Sequence, residues 1–140
     1  MPKLELYSVR DGIVPKKSGL NWGLANAHVK KEDAYIALTK SFLIQNPDFF
    51  PEHGDIIEIN WDDGIKMFCL LEGTQIINGI IYPKQISSYN EKSELGRYLR
   101  QRIGVKSNQL ITLSDLEKYG KTFIEASKLG THKFFFDLHI

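Results

Sequence analysis

The sequence predicts a mainly β fold: an antiparallel barrel or sandwich of seven or eight short strands, with two short helices. Three observations carry this. Apolar runs flank two turn signals, Asp62-Asp63-Gly64 and Asn78-Gly79, where glycine and asparagine accept a positive φ. A helical period appears clearly only in residues 92–104 and 112–120. Strand-like runs follow one another directly, which favours sequential hairpins over a doubly wound sheet.

In chain order, LELYSV (4–9) alternates apolar and polar residues and reads as a strand with one buried face. A long irregular stretch follows, Lys16–Tyr35, rich in Gly, Asn and Lys and holding Trp22. A loop of this length inside a small domain is uncommon and usually functional or disordered. AYIAL (34–38) reads as a buried strand. In residues 39–54, Thr39 is a plausible cap for one or two helical turns that Pro47 and Pro51 end, with Phe42, Phe49 and Phe50 as core plugs. Residues 55–71 form a hairpin about Asp-Asp-Gly. Residues 75–89 are β-branched, and Pro83 is expected to break the ladder, so that 83–90 leaves the sheet or runs along its edge.

Leu95, Tyr98, Leu99 and Ile103 recur at three- and four-residue steps, the inward stripe of a helix that Gly104 stops, with Arg97, Arg100 and Arg102 off the stripe. Thr112 and Asp115 make an approximate capping box for a helix closing at Gly120. Residues 121–129 and 132–140 finish as strands.

At 140 residues, with 42% hydrophobic and 25% charged content, the chain is expected to be one soluble globular domain, 1–140, with a real core. No apolar run reaches membrane-spanning length, MPKLELYSVR lacks the apolar centre of a signal peptide, and Cys69 alone excludes an intrachain disulfide. A cytoplasmic location is therefore expected.

The net charge of +1 conceals an uneven distribution. Residues 10–31 carry Arg10, Lys16, Lys17, Lys30 and Lys31 against Asp11 alone, and residues 84–106 carry six cations against Glu91 and Glu94, so each segment holds +4 and the remainder −7. Two basic segments on an acidic body suit a polyanion. Lys and Arg neutralise phosphates, whereas Asn, Gln and Arg can bond base edges in the major groove. The candidate DNA contacts of a first arm are Arg10, Lys16, Lys17, Ser18, Asn21, Trp22 and Asn26, with Trp22 either meeting a base or, as preorganisation favours, anchoring the arm. Those of a second arm are Lys84, Gln85, Ser87, Ser88, Tyr89 and Asn90. Candidate phosphate contacts are Lys30, Lys92, Arg97 and Arg100.

Complete catalytic constellations are missing from the sequence. His28-Val29-Lys30 matches the H-x-K of phospholipase D-type nucleases, but Tyr35 stands where that motif needs Asp. Pro47-Asp48 could open a PD…(D/E)-x-K nuclease motif, yet no later Asp or Glu has Lys two positions on. Asp62 and Asp63 precede Gly64 and read as a turn rather than a cation site. The four histidines share no metal-ligand spacing, and Cys69 reads as a core residue. No phosphate-binding glycine loop or nucleophile elbow occurs. No cofactor or metal is expected.

The ordered series SGLNWG (18–23), EDAYIAL (32–38), FFP (49–51), DDG (62–64), ELGRYLRQRIG (94–104), LITLSDLEKYGKT (110–122) and FFFDLHI (134–140) resembles the C-terminal DNA-binding domain of NgoFVII-type restriction endonucleases. That domain is similar to the plant B-three-type pseudobarrel, the EcoRII effector domain and the BfiI recognition domain. The resemblance implies an open seven-stranded pseudobarrel with two short helices and a wrench-like grip, in which two arms enter the major groove. Lys16–Asn26 falls at the first arm and Lys84–Asn90 at the second. Where the family often has Asn-Ser before Leu-Gly, this chain has Lys92-Ser93, with Asn90 the nearest asparagine. In the family a phospholipase D-like nuclease domain precedes this one. The expectation is thus a recognition domain for double-stranded DNA that makes no covalent change and serves a separate nuclease domain or subunit, with no membrane partner. The alternatives are a nuclease with a cryptic site and a β-barrel protein–protein module.

Overall fold

The computed structural model describes residues 1–26 and 29–140. His28, of the H-x-K match, lies outside the described residues. The elements are β1 (Lys3–Glu5), α1 (Trp22–Ala25, entered through a 3-10 turn at Gly19–Asn21), β2 (Ile36–Ala37), α2 (Lys40–Gln45), β3 (Ile56–Trp61), β4 (Lys66–Ile77), β5 (Ile80–Ser88), α3 (Lys92–Ile103), α4 (Leu113–Tyr119), β6 (Phe123–Gly130) and β7 (Lys133–Asp137).

Seven strands make one sheet in the order β1-β6-β7-β3-β4-β5-β2. All neighbours are antiparallel except β3 and β7, which run parallel with Ile59 opposite Phe134. The sheet curls into a nearly closed barrel. Its two edges, β1 and β2, are separated by a crevice with Glu5 and Leu6 on one side and Ile36 and Ala37 on the other.

Alternation fills the barrel. Ile57, Ile59 and Trp61 of β3, Met67, Cys69 and Leu71 of β4, and Phe134 and Phe136 of β7 are all buried. Phe42, Phe49 and Phe50 pack together, and Phe50 lies 5.1 Å from Phe134 between ring centroids. Burial holds Cys69 inert by pushing its thiol pKa upward.

Local chemistry shapes the connections. Asn78 (φ 51°) and Gly79 (φ 79°) make a two-residue turn with both φ positive, which joins β4 and β5 into one long hairpin. Thr39 Oγ1 accepts from Phe42 N at 3.1 Å and starts α2. Thr112 and Asp115 form a full capping box at the head of α4.

Three expectations are corrected. The first strand and the AYIAL strand shrink to three and two residues. The first arm contains α1. Finally, residues 83–88 do not leave the sheet: β5 runs through Pro83, which sits opposite Thr74 in the β4 ladder at a point that β2 does not pair, so that only the expected edge position holds. Proline removes a single donor, and the pairs on either side hold the register. The DDG turn is held from outside. Asp62 accepts from Arg102 at 3.1 and 2.9 Å and from Leu138 N at 2.8 Å. Burial pushes the Asp62 carboxyl upward, and the Arg102 guanidinium together with the Leu138 amide outweighs it, holding the pKa below its ordinary value.

Candidate nucleic-acid interface

The first arm is anchored at Asn21, which is fully buried. Its side-chain nitrogen donates to Pro15 O at 2.9 Å and to Ile111 O at 2.8 Å, and its oxygen accepts from Ile111 N at 2.8 Å. Asn21 is therefore not a base reader, because its amide is consumed in tying the arm to the chain before α4. The sequence signal that brought it forward, an amide in a polar loop, is common to both roles. Asn26 donates to Trp22 O at 2.6 Å and closes α1, so that its donor is also engaged. The arm then returns across α1, with Gly23 N donating to Asp33 O at 2.8 Å. A side chain at Gly23 would run into the backbone of Lys30 and Asp33, and one at Gly96 of α3 into Glu32 O. These two glycines let the arm lie flat on the body.

Outward from this anchor, Lys16 and Lys17 are exposed, and among the described residues no carboxylate pairs with either. They sit between Pro15 and Ser18, which line the crevice beside Ile36 and Ala37 of β2. Arg10 is at an exposed turn, its Nε 3.3 Å from Asp11.

What was expected as a second arm is the end of β5. Lys84 is exposed and Gln85 half-buried, with no side-chain hydrogen bond to Gln85 among the described residues. Ser87 and Ser88 are buried. Ser87 Oγ donates to Glu72 Oε1, and Ser88 Oγ donates to Glu91 O while accepting from Leu95 N at 3.1 Å. Both serines are corrected from DNA contacts to ties between β5 and its neighbours. Tyr89 and Asn90 follow the strand and are exposed.

The two stretches meet. Trp22 and Tyr35 from the first arm and Glu72, Gln85, Ser87 and Lys92 from the body line one open cleft of about 270 Å³. Lys92 Nζ lies 3.4 Å from Glu72 and 5.7 Å from the centroid of the Trp22 ring. Tyr35 and Glu72 were not singled out in the sequence, although alternation along β4 puts Glu72 on the face opposite the buried Leu71.

The phosphate candidates divide. Arg100 is 1% exposed, so it is corrected to an interior residue. Its Nη2 donates to Gln109 O at 3.3 Å and to Asn21 Oδ1 at 3.5 Å, and burial pulls its pKa down. A side chain just off an apolar helical stripe is still covered when a loop crosses it. Lys30 and Arg97 remain on the surface but share Glu91, at 2.8 and 3.7 Å. The hydrogen bond from Lys30, aided by Ser93, pulls the Glu91 carboxyl down to about 2. Among the described residues, no group of three or more His, Cys, Asp or Glu is placed to hold a metal ion, and no helix is long and apolar enough to cross a membrane.

The family model of the NgoFVII C-terminal B3-like DNA-binding domain matches residues 3–130. No curated protein matches the chain. The chain belongs to this DNA-binding family, and its fold is that of a B3-like pseudobarrel.

Proposed function

We propose that this member of the NgoFVII C-terminal B3-like DNA-binding domain family reads a short sequence in the major groove of double-stranded DNA. The observation that carries the proposal is the cleft in which Trp22 of the first arm meets Gln85 of β5. DNA lying against it would meet both stretches at once. Arg10, Lys16, Lys17 and Lys84 serve as phosphate contacts, with Ser18, Tyr89 and Asn90 at the rim. Gln85, whose side chain makes no hydrogen bond among the described residues, pairs its amide with adenine N6 and N7. Lys30, Lys92 and Arg97 reach phosphates by exchanging their carboxylates for the backbone of the duplex. Asn21, Asn26, Ser87, Ser88 and Arg100 hold the scaffold. The chain makes no covalent change of its own and acts in the cytoplasm as the target-recognition part of a restriction endonuclease, with cleavage supplied by a nuclease domain or subunit.

Selection from random duplexes at several salt concentrations tests this. An enriched site is the expected result. Weak, salt-sensitive binding without enrichment would count against specific recognition, and cutting of plasmid by the purified chain with magnesium would overturn the non-catalytic role.

A further inference from the structure

The β4–β5 hairpin carries apolar side chains at its tip that remain exposed among the described residues. Ile76, Ile80 and Ile81, at its tip, are 67%, 55% and 56% exposed. Single exposed apolar residues are ordinary, but three β-branched ones at the end of a two-stranded ribbon invite a partner. The register puts Ile76 and Ile81 on one face of the ribbon and Ile80, opposite Ile77, on the other. Glu72 is opposite Gln85, Thr74 opposite Pro83, and Ile76 opposite Ile81. These alternate pairs lie on one face of the ribbon, so the Ile76–Ile81 pair stands farther out on the same face from which Glu72 and Gln85 line the cleft.

We propose that Ile76 and Ile81 read the C5-methyl group of a pyrimidine in the major groove. This rests on the DNA-recognition reading above. A two-stranded ribbon fits the major groove, where the thymine methyl is the one apolar feature of the base edges and 5-methylcytosine offers the same group. At about 3.3 Å per residue, Ile81 stands roughly 13 Å along the strand from Gln85, close to four base-pair steps of about 3.4 Å. An amide that suits adenine and an apolar pair that suits a methyl group are thus spaced along one groove.

The test uses the full chain and two duplex libraries, one with cytosine and one with 5-methylcytosine. In each recovered site, every thymine is replaced by uracil, or every 5-methylcytosine by cytosine, one position at a time. The expected result is a loss of about fourfold per methyl group at one or two positions, the worth of one buried methyl. In Ile76→Ala and Ile81→Ala, which remove exposed side chains and leave the core intact, that difference disappears. The replacement that costs affinity, thymine by uracil or 5-methylcytosine by cytosine, identifies the source of the methyl group. A recovered site bound equally with and without its methyl groups overturns the inference while sparing the DNA-recognition reading. So does a methyl effect that survives both substitutions, or sedimentation showing that the tip pairs two copies of the chain. Recovery of no site at all overturns the reading and the inference together.

Discussion

Arg100 Nη2 lies 3.5 Å from Asn21 Oδ1, inside the protein. Both residues have the chemistry of DNA contacts, and they meet each other instead. Around them the loop before α1, helix α3 and the chain leading into α4 are tied to one point, with Pro15, Gln109 and Ile111 supplying the backbone partners. The arm that carries Lys16 and Lys17 is held in shape from this point.

Asn21→Ala leaves three backbone groups, Pro15 O, Ile111 O and Ile111 N, without their buried partner. Each loss costs about 1–3 kcal/mol, so a total of roughly 3 kcal/mol or more is expected in urea unfolding. Binding should weaken on every duplex alike, without relaxed choice at one base pair.

Lys16→Ala and Lys17→Ala should leave stability unchanged, since both side chains are exposed. Each should lower the affinity for all duplexes and reduce the salt slope by about 1, measured by titration at several salt concentrations.

Glu91→Gln releases Lys30 and Arg97 from their shared carboxylate. Two cations then become free for phosphates, and the salt slope should steepen by about 1–2 with tighter binding to any sequence.

Gln85→Ala should relax choice at a single adenine, costing about 1–3 kcal/mol on the selected site and little on other duplexes. Competition between the selected site and its single-base variants measures this.

Asp62 links stability to pH. Its folded pKa is depressed below the ordinary 3.8, so the Arg102–Asp62 contribution is complete above that value and is lost as pH falls through the lower, folded one. Asp62→Asn should cost about 1.5–3 kcal/mol at neutral pH and flatten the acid limb of the stability profile, read from denaturant midpoints between pH 5 and 2.

Much of the fold is written locally. The stripe of Leu95, Tyr98, Leu99 and Ile103 marks α3, the Thr112–Asp115 box marks α4, and Asn78-Gly79 marks the turn between β4 and β5. Each is a preference settled within a few residues, so neighbouring sequence is enough to reveal it. The basic character of the first arm is legible for the same reason.

Tertiary contacts decided the rest. Pro83 stays in the ladder because β4 holds the strand on both sides of it, and the two-residue β2 exists only because β5 pairs with it. The burial of Asn21, Ser87, Ser88 and Arg100 has the same origin. A polar side chain states which hydrogen bonds it can make, but not whether the partner is a nucleic acid or the protein's own backbone. That choice depends on which distant segments fold over it, and residues ninety positions apart, such as Asn21 and Ile111, meet only in three dimensions.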